Sequence, residues 1–147
     1  MSNISALGTQ VKVIASKSFP IGFDVADYAD DVDGLVFDAQ DIANTAMTLN
    51  GNLLVWNKAT PIPISISVVP GGSDDQNLGV IFENNRVAVG KMSVKDLITF
   101  VIPFPDGRIV TVSGGTMISG QSASSVSSDG RFKTKTYTFQ FESKVST

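Results

Sequence analysis

The sequence predicts a mainly β fold, an antiparallel β-sandwich or barrel with long hairpins and one short flanking α-helix at about residues 74–86. Its 147 residues include 13 glycines and many Val, Ile, Thr and Phe residues, which favours strands and turns. Apolar side chains alternate along 62–68, as in a strand with one buried face, and Pro63 indicates an edge strand or an early position. After Ser73 the apolar spacing becomes helical. The length fits a single domain over residues 1–147.

The N-terminal third is predicted to contain one clear strand and a long acidic segment. Residues 10–14 alternate as a strand, and the segment 19–22, which contains Pro and Gly, is expected to break the chain. The acidic segment, residues 24–41, is expected to form a loop or short strands. Val36 and Phe37 are its expected buried anchor.

A hairpin is predicted around Asn50 and Gly51. These two residues readily adopt positive φ, so we expect a tight primed turn between strands 43–49 and 53–58. Trp56 would then lie on a half-buried strand, where a tryptophan is expected in the core.

The predicted helix has a recognisable start. Ser73 can accept a hydrogen bond from the Gln76 amide while the Gln76 side chain reaches back, the arrangement of a capping box. Asp74 and Asp75 lie in the first turn, at the positive end of the helix dipole. Three apolar residues form the stripe that should pack on the sheet: Leu78, Ile81 and Phe82.

Two further hairpins are predicted in the C-terminal half. Pro105–Gly107 has the composition of a turn between strands 98–104 and 108–117, and the glycine pair 114–115 suggests a bulge. The last hairpin is expected to be long, with arms 116–126 and 131–142 around a Ser-Ser-Asp-Gly tip. Its Ser-rich first arm is expected to be mobile, and three residues of its second arm should share one face: Tyr137, Phe139 and Phe141.

Most enzyme classes are disfavoured by what the sequence lacks. It contains no histidine and no cysteine, so the usual neutral-pH proton shuttle, zinc ligands and disulfides are missing. Glu83 and Glu142 are its only glutamates, and nothing in the sequence pairs them for glycoside cleavage. No apolar run is long enough to span a membrane, and no secretory signal pattern begins the chain. We therefore expect neither an enzyme nor a cofactor, with synthesis in the cytoplasm.

Acidic residues are concentrated near the N-terminus. Residues 1–57 contain two basic and seven acidic residues, whereas 58–147 contain nine basic and seven acidic residues. Complementary faces of two copies could therefore attract each other in a stack, or the acids could merely solubilise a loop. A calcium loop aligned on Gly34 would place Ala29 and Gln40 at ligand positions, which disfavours it.

The order of these elements resembles the tail tube proteins of contractile or long-tailed bacteriophages, which are related in fold to the secreted tube protein of type VI secretion. Four segments carry the resemblance: Phe23–Tyr28, the Gly51 hairpin before Ile62–Val68, Pro70–Leu78 with Ser73 and Asp74 opening the helix, and Tyr137–Glu142. The resemblance implies one tail-tube-like domain that forms hexameric rings, stacked into a tube that conducts the genome. It also implies tail sheath, baseplate and tape-measure proteins as partners, and location in the virion tail.

By the same resemblance, hairpin 43–58 or 116–142 would line the lumen and form ring contacts. DNA would pass without specific binding, since the sequence pI is about 4.7. The candidate interface residues combine the acidic segment with a basic strand face: Asp24, Asp27, Tyr28, Asp30, Asp31, Asp33, Arg131, Lys133 and Lys135.

Two alternatives remain open from the sequence. The chain could be another virion structural protein, such as a baseplate, tail terminator or decoration protein. It could also be a carbohydrate-binding or host-binding β-module, in which Trp56, Tyr28 and Tyr137 stack on sugar rings.

Overall fold

The computed structural model describes residue 5 and residues 7–147. Strands account for 46% of the residues and helix for 9%, so the predicted mainly β fold is confirmed. The elements, in chain order, are β1 Val11–Ala15, β2 Phe19–Val25, β3 Leu35–Phe37, β4 Ala43–Met47, β5 Leu53–Asn57, β6 Ile62–Val68, α1 Ser73–Asn85, β7 Ile98–Pro103, β8 Ile109–Ser119, β9 Lys135–Phe141 and β10 Ser143–Ser146. In the part of the chain described, no helix is long and apolar enough to cross a membrane.

Eight strands form one antiparallel sheet in the order β2-β1-β7-β8-β9-β6-β3, with β10 added to β8. Strand β8 belongs to both halves of this sheet. Its first part pairs with β7 and β10, and its second part pairs with β9. The register shifts between these parts, where Gly114 has a φ of +68°. The predicted glycine bulge is therefore confirmed, and it lets one strand serve two layers of a sandwich.

The core lies between the two halves of the sheet. The ring of Phe100 on β7 contacts the rings of Phe139 and Phe141 on β9, with centroid separations of 4.8 and 4.7 Å. The alternation along β6 and β9 is confirmed, because their apolar faces are buried in this core. Leu78 and Ile81 of α1 are fully buried as well, so the helix packs its predicted stripe inward.

The helix bounds are confirmed, but the capping box is wrong. The N-cap is Gly72, and no side chain caps the helix there. The Gln76 amide donates to the Gly72 carbonyl oxygen at 3.0 Å, so it is not available to Ser73. The side chain that reaches back belongs to Asp75, whose Oδ2 accepts from the Gly71 amide at 2.9 Å.

The expectation that segment 19–22, with its Pro and Gly, breaks the chain is wrong. The segment forms the beginning of strand β2. This is possible because β2 ends the sheet, where a proline removes no ladder bond on its free side. Gly22 has a φ of +89°, and a Cβ there would lie 2.9 Å from the Val13 carbonyl oxygen. The glycine lets β2 absorb a bulge beside β1.

The acidic segment has a different anchor from the one expected. Leu35 packs against the core, whereas Phe37 remains 40% exposed. Tyr28 also packs on the core, and a Cβ on Gly34 would lie 2.5 Å from the Tyr28 Cβ. Leu35 and Tyr28 therefore hold this segment on the core, because Leu35 pairs with Ile66 of β6 and Tyr28 forms a bridge with Val68 of the same strand.

The Gly51 hairpin is confirmed, but its turn is not a primed one. Only Gly51 in this turn has positive φ, at +85°. The Thr48 amide donates to the Asn52 carbonyl oxygen, and the Gly51 amide donates to Thr48, at 2.9 and 3.0 Å. The turn has three residues with a left-handed glycine at its end, which keeps Asn50 in the favourable negative region.

Candidate assembly surfaces

The hairpin formed by β4 and β5 is separate from the large sheet. Among the residues that the structure describes, its two strands pair only with each other, in register from Ala43 opposite Asn57 to Met47 opposite Leu53. Residues 42–57, here called the exposed hairpin, contain no charged side chain. A two-stranded ribbon is marginally stable alone in water, so this element lacks the support that the other strands have.

Both faces of the exposed hairpin present apolar side chains to solvent. Leu53 and Leu54 are 60% and 53% exposed, and neighbouring residues of a strand point to opposite faces. Trp56 is 51% exposed, so the expectation that it belongs to the core is wrong. In the described part of the chain, its strand belongs to a two-stranded sheet that is separate from the large one, and the alternation in the sequence does not reveal this. Contiguous exposed apolar surface of this kind marks interaction sites.

The acidic loop, residues 26–34, is anchored to the body of the protein. Asp74 Oδ2 accepts hydrogen bonds from the amides of Ala26 and Asp27, both at 3.0 Å. The Ala29 amide donates to the Ser67 carbonyl oxygen at 3.0 Å. Burial, followed by the charge of Asp74, raises the pKa of Tyr28 to about 12. Hydrogen bonds to the body of the protein therefore fix the backbone of the loop, whose aspartate side chains are exposed.

Part of the acidic loop contacts the basic C-terminal segment within the same chain. Arg131 donates to both carboxylate oxygens of Asp30, at 3.1 and 3.2 Å, and Thr134 Oγ1 donates to Asp31 at 2.6 Å. We call these two contacts the clasp. The side-chain hydrogen bond from Arg131 is the main reason that the pKa of Asp30 lies below its usual value.

The prediction that Arg131, Lys133 and Lys135 line one side of a strand is wrong. Strand β9 begins only at Lys135, which is mostly buried and lies 3.4 Å from the buried Asp75 carboxylate. Arg131 and Lys133 lie outside any strand and are exposed. The arms 116–126 and 131–142 therefore form a shorter ladder than expected, since β8 ends at Ser119. Of the other candidates, Asp24 lies on β2, and Asp27 and Asp33 are exposed on the loop.

Two buried carboxylates carry roles that the sequence analysis missed. Asp75 accepts from the Tyr137 hydroxyl at 2.9 Å, and burial raises the pKa of that phenol. Asp96 accepts from the Lys17 amide at 2.8 Å and from the Asn85 side chain at 2.9 Å. No sequence signal marks Asp96 as a buried hydrogen-bond acceptor. The sequence did show that Asp75 lies in the first turn of the helix, but this position suggested only an interaction with the helix dipole.

The structure also tests two binding hypotheses. In the described part of the chain, no group of three or more His, Cys, Asp or Glu residues could hold a metal ion. Tyr137 is fully buried and Tyr28 is mostly covered, so these rings do not form a sugar platform with Trp56. A cavity of about 540 Å³ lies beside β3 and is lined mainly by apolar residues, among them Leu35, Phe37 and Phe104.

The comparison with protein families gives a match over residues 2–145, to the family described as Tail fiber protein gp32. The chain belongs to this family. The family is that of a phage tail protein, which agrees with the expected relation to phage tails at that level, although the matching family is not the tail tube family itself. A comparison with curated proteins finds no match.

Solved structures share the fold over the whole chain. A chain in the sheath/tube terminator of an extracellular contractile injection system (PVC), in the extended state, is 15% identical, with a TM-score of 0.56 and coverage of 100% and 98% of the two chains. A chain in the six-fold symmetrised baseplate of the anti-feeding prophage is 12% identical, with a TM-score of 0.58 and coverage of 100% and 97%. A third, from the tube-terminating cap of the same prophage, has 14% identity, a TM-score of 0.50 and coverage of 100% and 93%. At these identities the likeness establishes the fold.

Proposed function

We propose that this chain is a structural subunit of a phage tail that assembles with copies of itself into stacked hexameric rings, forming a tube for the genome. The observation that carries the proposal is the exposed hairpin, which has no charge and presents apolar side chains on both faces. A second copy is its fitting partner, because identical uncharged ribbons meet without electrostatic repulsion. Closing a ring would also cover edges that a free subunit leaves unpaired.

The unpaired edges of the large sheet support the same proposal. Strands β2 and β3 lie at its two ends, and each pairs on one side only. Leu35–Phe37 of β3 is short, and Phe37 is partly exposed beside the 540 Å³ cavity. A neighbouring copy could add strands at these edges, since main-chain hydrogen bonding there needs no particular side chain.

The acidic loop and the basic segment are proposed as the surface between rings or subunits. The residues concerned are those predicted from the sequence: Asp24, Asp27, Tyr28, Asp30, Asp31, Asp33, Arg131, Lys133 and Lys135. Lys135 contributes indirectly, since its ammonium faces Asp75 inside the protein. The outward carboxylates of Asp27 and Asp33 and the exposed Lys133 are the charges best placed to contact another copy.

The wider assembly follows from the same proposal. Tail sheath, baseplate and tape-measure proteins are the proposed partners, and fold neighbours in a sheath/tube terminator and a baseplate support a place among such components. The subunit would be made in the host cytoplasm, act without catalysis or cofactor, and end in the virion tail. DNA would pass the acidic protein without specific binding.

The test places a charge on the exposed hairpin. Leu54→Asp is expected to remain monomeric at concentrations where the unchanged protein forms rings or rods, because an added carboxylate cannot be buried in an apolar contact. Val89→Asp is the matched control, since Val89 is also an exposed apolar residue but lies in the loop after α1. Light scattering after gel filtration and negative-stain microscopy provide the measurements. Rings from Leu54→Asp, or an unchanged protein that stays monomeric when concentrated, would contradict the proposal.

Two related roles are supported by particular comparisons. The fold neighbours from a baseplate and a tube-terminating cap favour a subunit that forms one ring and does not repeat along a tube. The family description favours a tail fibre. The same micrographs separate these roles, because a tube subunit stacks into rods, a baseplate or terminator subunit stops at single rings, and a fibre subunit closes no ring.

A further inference from the structure

The segment between β8 and β9 is folded back on itself. Residues 120–134, here called the arm, contain a small turn in which the Ser127 amide donates to the Arg131 carbonyl oxygen at 2.8 Å. Val126 and Phe132 form an isolated bridge next to this turn. The ladder between β8 and β9 ends where Ser119 pairs with Thr138, so the arm does not continue it.

Exposed polar contacts connect the arm to the acidic loop. The clasp joins Arg131 to Asp30 and Thr134 to Asp31, and the Arg131 and Asp30 side chains are 43% and 63% exposed. A cavity of about 480 Å³ lies between the arm and the loop, so the two do not pack closely. Phe132 and Val126 are 55% and 68% exposed, although both are apolar.

We infer that the clasp is a latch, which holds the arm folded against the acidic loop in the free subunit and opens when a second copy binds. Exposed ion pairs contribute little to stability and are screened by salt, so the closed arm is held weakly. Around its Ser-Ser-Asp-Gly tip the arm is already paired as a small hairpin, because the Lys133 amide donates to the Ser125 carbonyl oxygen at 2.7 Å, so once released it can move away from the acidic loop as one unit. Opening also frees Asp30, Asp31 and Arg131 for contacts between copies.

A second copy can open the latch only if it binds the open arm better than the closed arm. The exposed apolar side chains of Phe132 and Val126 provide that difference, because they gain cover in a contact between subunits and have little in the free one. This inference rests on the proposed self-assembly, but the state of the arm can be measured without assembly.

The first experiment measures the arm in the free subunit by hydrogen exchange. Arg131→Gln is expected to speed exchange of the arm amides several-fold and to leave exchange in β6 and β9 unchanged. Lys133→Gln is the matched control, because it removes the same charge from the same arm while Lys133 has no ion pair with the described residues. Equal exchange in the two variants would overturn the latch.

The second experiment closes the latch covalently. The chain has no native cysteine, so Asp30→Cys with Arg131→Cys introduces the only thiol pair. Bridging the pair with dibromobimane, checked by intact mass, is expected to keep the subunit monomeric, while the unbridged variant assembles. Assembly of the bridged protein at the same concentration would overturn the latch. If neither the unbridged variant nor the unchanged protein assembles, the proposed function fails, and the exchange measurement alone decides whether the latch exists.

Discussion

Asp96 offers the sharpest test of how this fold is held together. Its side chain is almost fully buried, at 4% exposure, and lies where the β1–β2 turn meets the end of α1. Oδ1 accepts from the amides of Lys17 and Ser18 at 2.8 and 3.0 Å, and Oδ2 accepts from Ser18 Oγ and from Asn85 Nδ2. One carboxylate therefore ties together segments that are about 80 residues apart.

The size of the effect follows from the donors that a substitution strands. Asp96→Ala leaves the amides of Lys17 and Ser18 without their acceptor, whereas Asn85 Nδ2 keeps its hydrogen bond to the Ile81 carbonyl oxygen. A buried donor left unsatisfied costs roughly 1–3 kcal/mol. Because these donors lie near the surface and water can reach some of them, we expect a loss of about 3 kcal/mol in the free energy of unfolding.

The same site sets a dependence on pH. Burial raises the pKa of Asp96, but the hydrogen bonds from Ser18, Asn85 and the Lys17 amide outweigh burial and hold the pKa below its ordinary value of 3.8. A lowered pKa in the folded state stabilises the protein above the unfolded-state value, and that stability is lost as pH falls through the folded-state value. Asp96→Asn is therefore expected to be less stable at neutral pH and to lose less stability on acidification.

Urea unfolding followed by circular dichroism, at neutral pH and at a series of values below pH 4, measures both effects. Dilute protein keeps the unfolding free of assembly. Asp41→Asn is the control, because it removes one carboxylate from an exposed position that has no hydrogen bond or ion pair with the described residues. The reasoning is refuted if Asp96→Ala unfolds at the same urea concentration as the unchanged protein. It is also refuted if the Asp96 and Asp41 variants respond equally to acid.

Two further predictions concern the core. Tyr137→Phe removes the hydrogen bond to Asp75 and should lower the free energy of unfolding by about 1–2 kcal/mol. Tyr28→Phe is its control and should have little effect, because the buried Tyr28 hydroxyl has no hydrogen-bond partner among the described residues. Gly115→Ala places a methyl group into the Phe141 ring and should cost about 1–3 kcal/mol, measured by urea unfolding. An unfolding midpoint equal to that of the unchanged protein would contradict the prediction for Tyr137→Phe or for Gly115→Ala.

The parts of the fold that could be predicted are those in which a local pattern reports a single buried face. Ile62–Val68 and Lys135–Phe141 alternate because one side of each strand faces the core, and the helix changes period for the same reason. Gly114 and Gly115 could be recognised as a bulge because their composition is unusual within a strand. In each case the residues that reveal the structure lie within a few positions of one another in the sequence.

What could not be predicted depends on partners that are far apart in sequence. Asp74 binds backbone amides that are 47 and 48 residues away, so no local sequence pattern shows that it anchors the acidic loop. The Arg131–Asp30 pair spans 101 residues, and only the opposite charges were visible beforehand. The exposed hairpin shows a different limit, because alternation predicts a strand correctly but does not say what covers its apolar side.

The exposed hairpin also constrains how a ring could be built. Register places Met47, Leu53 and Val55 on one face and Leu54 and Trp56 on the other, so each face carries large apolar side chains. A hairpin with one face toward a water-filled lumen would leave the apolar side chains of that face exposed to water. The hairpin is therefore better suited to lie between neighbouring subunits than to line a channel, which leaves the lumen wall to the polar faces of strands such as β9, where Thr136, Thr138 and Gln140 alternate.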